Sequence, residues 1–327
     1  MNFTHIFLRV TLVLLAWYSS QHTKAQVRAL NGKHLSSEAI DSFIANQMDS
    51  LKIPALSFAI IQKGRVVYYK ATGIKNDEGE AIDSNTLFEA ASMTKPVFAY
   101  AVHKLVQRGL MSLDTPLYRY YPYDDMNHDE RYKRITARMV LSHTTGFPNW
   151  RGCGGGELTI NFEPGTKYGY SGEGFKYLEL VIRHLSGTNI QDLIDDEVMN
   201  PLSIRNSFLV KNQYVRDHLA YGLKDNKEWG WNDVWLRPNV AFSLCTEARE
   251  YSKFVIQLMK ESQSPQSTFQ QMAVPQMEIE PDKWVCLGLF MAQTPYGLKY
   301  YHSGNTATGS IQTLSSIKTR IQVMYSS

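Results

Sequence analysis

Cysteine is scarce in this chain: three among 327 residues, Cys153, Cys245 and Cys286, far apart and never as C-x-x-C. That excludes a paired-thiol redox motif and a cysteine-rich zinc site. Cys245 and Cys286 sit in apolar stretches and read as small core residues. The nine histidines form neither H-x-H nor H-E-x-x-H, so a zinc hydrolase is not expected. No Lys/Arg-rich run occurs and the net charge is only +3, which gives no footprint for a nucleic-acid partner. Internal repeats and low-complexity linkers are absent. Gly152-Cys153-Gly154-Gly155-Gly156 lacks a following Lys-Ser/Thr and reads as a loop rather than a phosphate cradle. Gly169-Tyr170-Ser171-Gly172-Glu173 misses the nucleophile-elbow pattern G-x-S-x-G at its last position.

The composition that remains is ordinary for a globular protein, 43% hydrophobic and 20% charged, long enough for one large domain or a core domain with an insertion. The N-terminus differs. Arg9 precedes the apolar Val10–Trp17 run, and Thr23-Lys24-Ala25 ends in a small residue. This predicts a secretory signal peptide over 1–25, cut near Ala25/Gln26, and a secreted or periplasmic product. The apolar run is too short to span a bilayer, and no cysteine near the cut offers a site for acylation. An odd cysteine count in an exported chain leaves at least one thiol unpaired.

Hydrophobic periodicity then orders the chain. After a lead-in over 26–37, Ser37 to Leu51 carries Ile40, Phe43, Ile44 and Met48 on one helical face. Ala55–Ile61 and Val66–Tyr69, joined through Lys63-Gly64, predict a hairpin. Helices are expected over Thr136–His143, Gly174–Leu185 (stopped by Gly187), Ile190–Met199 and Glu247–Met259, the last with Thr246 as N-cap. Strand patterns return over Trp284–Met291, Leu298–His302, Ser310–Ser316 and Ile321–Tyr325. Strands at both ends with helices between predict an α+β fold: an antiparallel sheet formed by both termini and flanked by helices, with a mainly helical subdomain inserted over about 88–245 of a 38–327 domain.

The pattern S-x-x-K occurs twice, as Ser92-Met93-Thr94-Lys95 and Ser315-Ser316-Ile317-Lys318. On a helix the two residues share a face, so the amine reaches the hydroxyl, and a buried amine sheds its proton readily. That is a nucleophile with its base attached. Pro96 fits only near a helix start, Val97 through Leu110 follows near helical spacing, and Gly109 marks the end. Free N–H groups and the positive dipole end at such a start suit an oxyanion. Ser315 lies in an alternating strand-like run, where positions three apart face opposite sides. Ser92 is therefore the candidate. The bland alternative for Ser92 is a helix N-cap.

Two stretches complete the set: Pro164-Gly165-Thr166-Lys167-Tyr168-Gly169-Tyr170-Ser171-Gly172, a turn entering a helix, and His302-Ser303-Gly304, closing a strand whose glycine allows close backbone approach. With Ser92 and Lys95, these resemble the serine beta-lactamase and penicillin-binding-protein superfamily. The closer likeness is to class C beta-lactamase-related serine hydrolases, which include esterases and D-amino-peptide hydrolases. Ile135–Gly146 and Asp114-Thr115-Pro116-Leu117 support it. The resemblance runs from about residue 38 onward and implies a beta-lactamase/transpeptidase-like fold with no cofactor and a small-molecule or peptide substrate. It makes Ser92 the nucleophile, with Lys95 and Tyr170 sharing the base role in coupled titrations. It places the oxyanion donors at the N–H groups of Ser92 and Asn305, each worth ~10²–10³ in rate.

Departures from the family bear on substrate. Lactamase relatives carry Y-x-N where this chain has Tyr170-Ser171-Gly172, which removes an amide that helps hold the acylamino part of a penicillin. They carry K-T-G where it has His302-Ser303-Gly304, which weakens the grip on a substrate carboxylate. Both point to an ester or amide substrate of lower negative charge, with a true beta-lactamase, a DD-carboxypeptidase or a non-catalytic penicillin-binding-like sensor as alternatives. The family sheet is usually followed by a C-terminal helix packed beside the N-terminal one, and here the sequence stops at Ser327. Without such a helix, Ser37–Leu51 is expected to lose a packing partner and stability. Tyr168 competes with Tyr170 for its role. His143 is read as a buried structural histidine supporting the Ser92 helix, and Trp150 and Arg151 as part of a solvated loop, with a place beside the cleft as the alternative.

Overall fold

The computed structural model describes residues 27–151, 155–222, 237–305, 311–317 and 320–326; of the last two stretches it gives the backbone course. The expected signal peptide, Cys153 and Lys318 lie outside the described residues.

Two short strands, β1 (Val27–Arg28) and β2 (His34–Leu35), pair with each other and lead into a helix over Ser37–Leu51. Ser36 caps its N-terminus, accepting a hydrogen bond from Ala39 N. The hairpin β3 (Ala55–Gln62) and β4 (Arg65–Gly73) follows. Lys63 and Gly64 both have positive φ, 52° and 71°, as a two-residue turn matched to strand twist requires. Because successive strand side chains alternate in direction, β3 serves two cores. Leu56 and Phe58 pack with Tyr68 under Ile40 and Ile44 of the Ser37–Leu51 helix, while Ala59 and Ile61 join the main core. Burial on both faces explains why β3 reads as an almost unbroken apolar run.

The main sheet has eight strands in the order β4-β3-β12-β11-β10-β9-β8-β7, every neighbouring pair antiparallel. The late strands are β7 (Met277–Glu280), β8 (Lys283–Val285), β9 (Phe290–Thr294), β10 (Gly297–Asn305), β11 (Ile311–Ile317) and β12 (Arg320–Ser326). β3 from the first part of the chain is paired with β12 from the last, Ala59 opposite Val323. The Ser37–Leu51 helix covers one face of this N-terminal part of the sheet, and a helix over Ala248–Glu261 covers the other. A separate pair, β5 (Phe88–Glu89) with β6 (Cys245–Thr246), holds together the two ends of the long helical segment between them.

Within that segment the helix over Thr94–Gln107 is buried nearly all round, with Val97, Phe98, Ala99, Tyr100, Ala101, Val102 and Leu105 in the core. Such a helix belongs to the interior rather than a surface. It ends as Gly109 requires: Gly109 (φ 73°) donates to Val106 O and Leu110 to Leu105 O, a left-handed closure that glycine adopts freely.

Four element boundaries differ from the sequence expectation. The cap of the Ala248–Glu261 helix is Glu247, whose carboxylate accepts from Arg249 N and Glu250 N; Thr246 belongs to β6 and bonds Ser207 at 2.6 Å. The Trp284–Met291 run is two strands, because a turn at Cys286–Leu289 intervenes. There Gly288 (φ 94°) lies so close to the Thr94–Gln107 helix that a β-carbon would stand 2.2 Å from Ala99 Cβ. The helix starting at Ala137 ends at Leu141, and His143 turns left-handed (φ 55°). The Ile190–Met199 run is α-helical to Ile194 and continues as a wider π turn over Asp195–Met199, with Asn200 N donating to Asp195 O. β7, with alternating Met-Glu-Ile-Glu, is a strand beyond those expected from the sequence.

Candidate active site

Ser92 sits in a 3₁₀ turn, Ala91–Met93, that runs directly into the Thr94–Gln107 helix. The turn is fixed from several sides. Ala90 N donates to Leu244 O, Tyr251 Oη to Met93 O at 3.0 Å, and Thr94 Oγ1 to Ala91 O at 2.6 Å while accepting from Leu244 N. Ala91 holds φ at 45°, a conformation costly for a residue with a β-carbon and kept only where the surroundings impose it. Ser92 is half-buried between fully buried neighbours. It is not the N-cap: the helix start has no side-chain cap, and the Ser92 Oγ instead faces Lys95 Nζ at 3.3 Å.

Lys95 is completely buried, and its Nζ donates to the Ala241 carbonyl at 2.7 Å. No carboxylate pairs with it among the described residues. Burial without a counter-charge disfavours the ammonium and lowers the pKa from 10.5 to about 7. A neutral Lys95 has one N–H on Ala241 O and a lone pair free for the Ser92 hydroxyl proton.

Tyr170 lies just ahead of the Gly172–Ser186 helix, whose N-cap is Ser171. Lys95 Nζ stands 4.8 Å from the centre of its ring. The phenol oxygen is buried without a full hydrogen bond; burial pushes its pKa up, and Ser92 is the polar group near enough to pull in the other direction. Tyr168, the competing tyrosine, packs edge-on to His143 and Phe290. His143 stacks on Tyr170 at 4.2 Å and accepts from Ser171 N at 3.1 Å through Nδ1. Its pKa lies well below 6.5, first through burial and then through the Lys95 charge. It is buried and structural, as expected, but it steadies the Tyr170 turn rather than the Ser92 helix.

β10 brings the third stretch. His302 is buried with its ring 6.3 Å from that of Tyr170, its Nδ1 2.8 Å from Ser303 O and its Nε2 without a hydrogen-bond partner among the described residues. Burial, then the Lys95 charge, lowers its pKa to about 3, so the ring is neutral. Ser303 and Asn305 are exposed and Gly304 is buried. A β-carbon on Gly304 would stand 2.5 Å from Ala90 O and 3.3 Å from Ser92 N. Only glycine lets the strand pass this close to the nucleophile turn, which brings Asn305 beside it in sequence. Gly172 opens its helix with its N–H on Asn149 O at 3.0 Å.

These residues lie within one model of the beta-lactamase family, which matches residues 40–323. The chain belongs to the beta-lactamase family. Protein flp of Staphylococcus aureus (strain MW2) is 26% identical over 206 residues, covering 57% of this chain and 41% of that protein. Esterase EstB of Burkholderia gladioli is 27% identical over 191 residues, covering 50% and 48%. The chain thus spans less than half the length of these curated relatives. A solved class C beta-lactamase superposes with a TM-score of 0.77 at 17% identity, covering 89% of this chain and 90% of that one. The D-alanine carboxypeptidase AmpC from Burkholderia cenocepacia gives 0.76 at 16%, covering 88% and 93%. These likenesses show the α+β fold of class C beta-lactamase structures.

Three features of this family member depart from the default sequence reading or carry no signal in it. The partner of Lys95 is a backbone carbonyl, which any residue at 241 supplies. Arg151 is held in place rather than free in solvent: it donates to Glu173 and Tyr123 and pairs with Asp125 at 2.6 Å, bordering a cavity of about 630 Å³. Trp150 lies across Gly172, within 2.5 Å of where a β-carbon there would be. Cys245 and Cys286 are buried free thiols pushed up to about 12 by burial, so they are packing residues. Among the described residues no group of three or more His, Cys, Asp or Glu is arranged to hold a metal ion, and no helix is long and apolar enough to cross a membrane.

Proposed function

We propose that the chain is an exported serine hydrolase that works through an acyl-enzyme on Ser92 and cleaves an ester or amide of low negative charge. The observation that carries this is the buried Lys95 amine, 3.3 Å from Ser92 Oγ with its pKa lowered to about 7. In the first step Ser92 Oγ bonds to the substrate carbonyl carbon while its proton passes to Lys95. The carbonyl oxygen becomes an oxyanion held by the N–H groups of Ser92 and Asn305, and the bond to the leaving alcohol or amine breaks as that group takes a proton. Water then attacks the acyl-enzyme with the same groups in reverse, and Ser92 regains its hydrogen.

The sharing of the base role is weighted toward Lys95. At neutral pH an amine near 7 is neutral in about half the molecules, whereas burial moves the Tyr170 phenol further from ionisation. Tyr170 is assigned the proton shuttle between Lys95 and the leaving group. Neutral His302 in place of a lysine and Gly172 in place of an asparagine set the enzyme apart from a penicillin-destroying one; the likeness to an esterase supports the same side. The test is labelling with a fluorophosphonate and turnover of nitrophenyl esters against a chromogenic cephalosporin. Ester turnover lost in Ser92→Ala is expected; cephalosporin turnover exceeding that of every ester contradicts the substrate assignment.

A further inference from the structure

His143 turns left-handed just after the Ala137–Leu141 helix, with φ at 55°. A residue with a β-carbon keeps that conformation only where its surroundings impose it, and such strain gathers at sites that need a fixed geometry. At His143 the outlier coincides with a double grip. Its carbonyl accepts from Gly169 N at 2.8 Å, and its ring Nδ1 accepts from Ser171 N at 3.1 Å. The two donors are the residues on either side of Tyr170. The imidazole also stacks on the Tyr170 ring, centres 4.2 Å apart at 26°. One residue therefore holds Tyr170 by both neighbouring N–H groups and by a ring face.

The reacting end of Tyr170 has no such hold, because its Oη makes no full hydrogen bond among the described residues. His143 is itself well fixed. Its N–H donates to Val140 O at 3.0 Å, and Phe175, Phe290 and Tyr168 surround the ring at 5.3, 6.3 and 6.2 Å. A backbone N–H only donates, so Nδ1 is the bare nitrogen and the ring hydrogen is on Nε2. Burial above all keeps the imidazole in this neutral form.

We propose that His143 is a positioning residue for the reaction: it aims the Tyr170 hydroxyl, and it affects catalysis through that hydroxyl alone. The proposal rests on the serine-hydrolase reading, in which the proton that Ser92 gives to Lys95 passes by way of Tyr170 to the leaving oxygen. A small misplacement of such a group costs up to about 10²-fold in rate. The loss should fall on leaving groups that need the proton and spare those that depart without it.

The experiment measures kcat/KM, which reports acylation, for phenyl butyrate and p-nitrophenyl butyrate. The acyl group is the same, and nitrophenolate leaves unprotonated far more readily than phenolate. Wild type, His143→Phe, His143→Asn, Tyr170→Phe and the double variant His143→Phe/Tyr170→Phe are compared. His143→Phe keeps a stacking ring but offers Ser171 N no acceptor, and should lower the phenyl-to-nitrophenyl ratio about tenfold or more, as Tyr170→Phe does. His143→Asn keeps an acceptor one bond from Cγ and tolerates positive φ, so it should recover part of the ratio; it also serves should the Phe variant not fold. In the Tyr170→Phe background, His143→Phe should not change the ratio further. Equal loss on both esters in the His143 variants would show a purely structural residue and overturn the proposal. So would a further fall of the ratio in the double variant, or a ratio unchanged in Tyr170→Phe, each leaving Ser92 as nucleophile. A wild type inactive on both esters overturns the hydrolase reading and the proposal with it.

Discussion

Replacing Lys95 by methionine should make the protein more stable at neutral pH while destroying its activity. The ammonium is completely buried with no carboxylate paired to it among the described residues, and the fall of its pKa from 10.5 to about 7 corresponds to roughly 5 kcal/mol of disfavoured charged form in the folded state. The direction with pH follows from proton counting. Between pH 7 and 10.5 the unfolded chain holds a proton on this lysine that the folded one has shed, so wild-type stability rises with pH across that window. Below pH 7 both states are protonated and the whole penalty is present. Methionine removes the penalty but leaves the Ala241 carbonyl without its donor, a loss of about 1–3 kcal/mol. The net gain for Lys95→Met at pH 6 is therefore about 2–4 kcal/mol, several degrees in Tm for a domain of this size. It should shrink through pH 8 and vanish or reverse by pH 10. Scanning calorimetry of both proteins at pH 6, 8 and 10 measures it. A stability difference that does not change with pH refutes the assignment of a discharged buried amine.

Gly304→Ala should impair activity on the order of 10²-fold, because the added carbon meets Ala90 O at 2.5 Å and pushes β10 away from the Ser92 turn. The accompanying stability loss should be only about 1–3 kcal/mol, checked by chemical denaturation beside steady-state kinetics. Lys211→Ala should cost about 3–5 kcal/mol, since it strands Glu89 from a nearly buried ion pair at 2.5 Å; a change below 1 kcal/mol in denaturant titration would show the pair to be solvated. The acid limb of kcat/KM for a neutral ester should fall near pH 7, where Lys95 gains its proton, and His302 should add no limb above pH 5.

The almost unbroken apolar run of β3, the helical spacing of Val97, Tyr100, Ala101 and Leu105 along Thr94–Gln107 and the Lys63-Gly64 turn were legible because each is a local pattern or a local backbone demand. Ser92, Lys95 and Tyr170 were legible as a set through motif order, and the structure brings all three together. What escaped is nonlocal. Thr246 and Glu247 both look like caps, and only the pairing of β5 with β6 decides which one leads the helix. The Trp284–Met291 run looks continuous, and only contact with Ala99 explains the turn at Gly288. In the sequence Gly172 reads only as a lost amide, whereas the indole that fills its place comes from a loop over twenty residues earlier. The carbonyl of Ala241 carries no side-chain signature at all.

The central claim is that Ser92 is the nucleophile and Lys95 its base, and one measurement tests it most directly. Intact protein is reacted with a fluorophosphonate at pH 6 and pH 8, digested, and the modified residue and its rate of labelling are read by mass spectrometry. The account predicts one adduct, on Ser92, formed faster at pH 8 than at pH 6 and slowed on the order of 10³-fold in Lys95→Met. A label on any other serine, or equal labelling of Ser92→Ala and wild type, would contradict it.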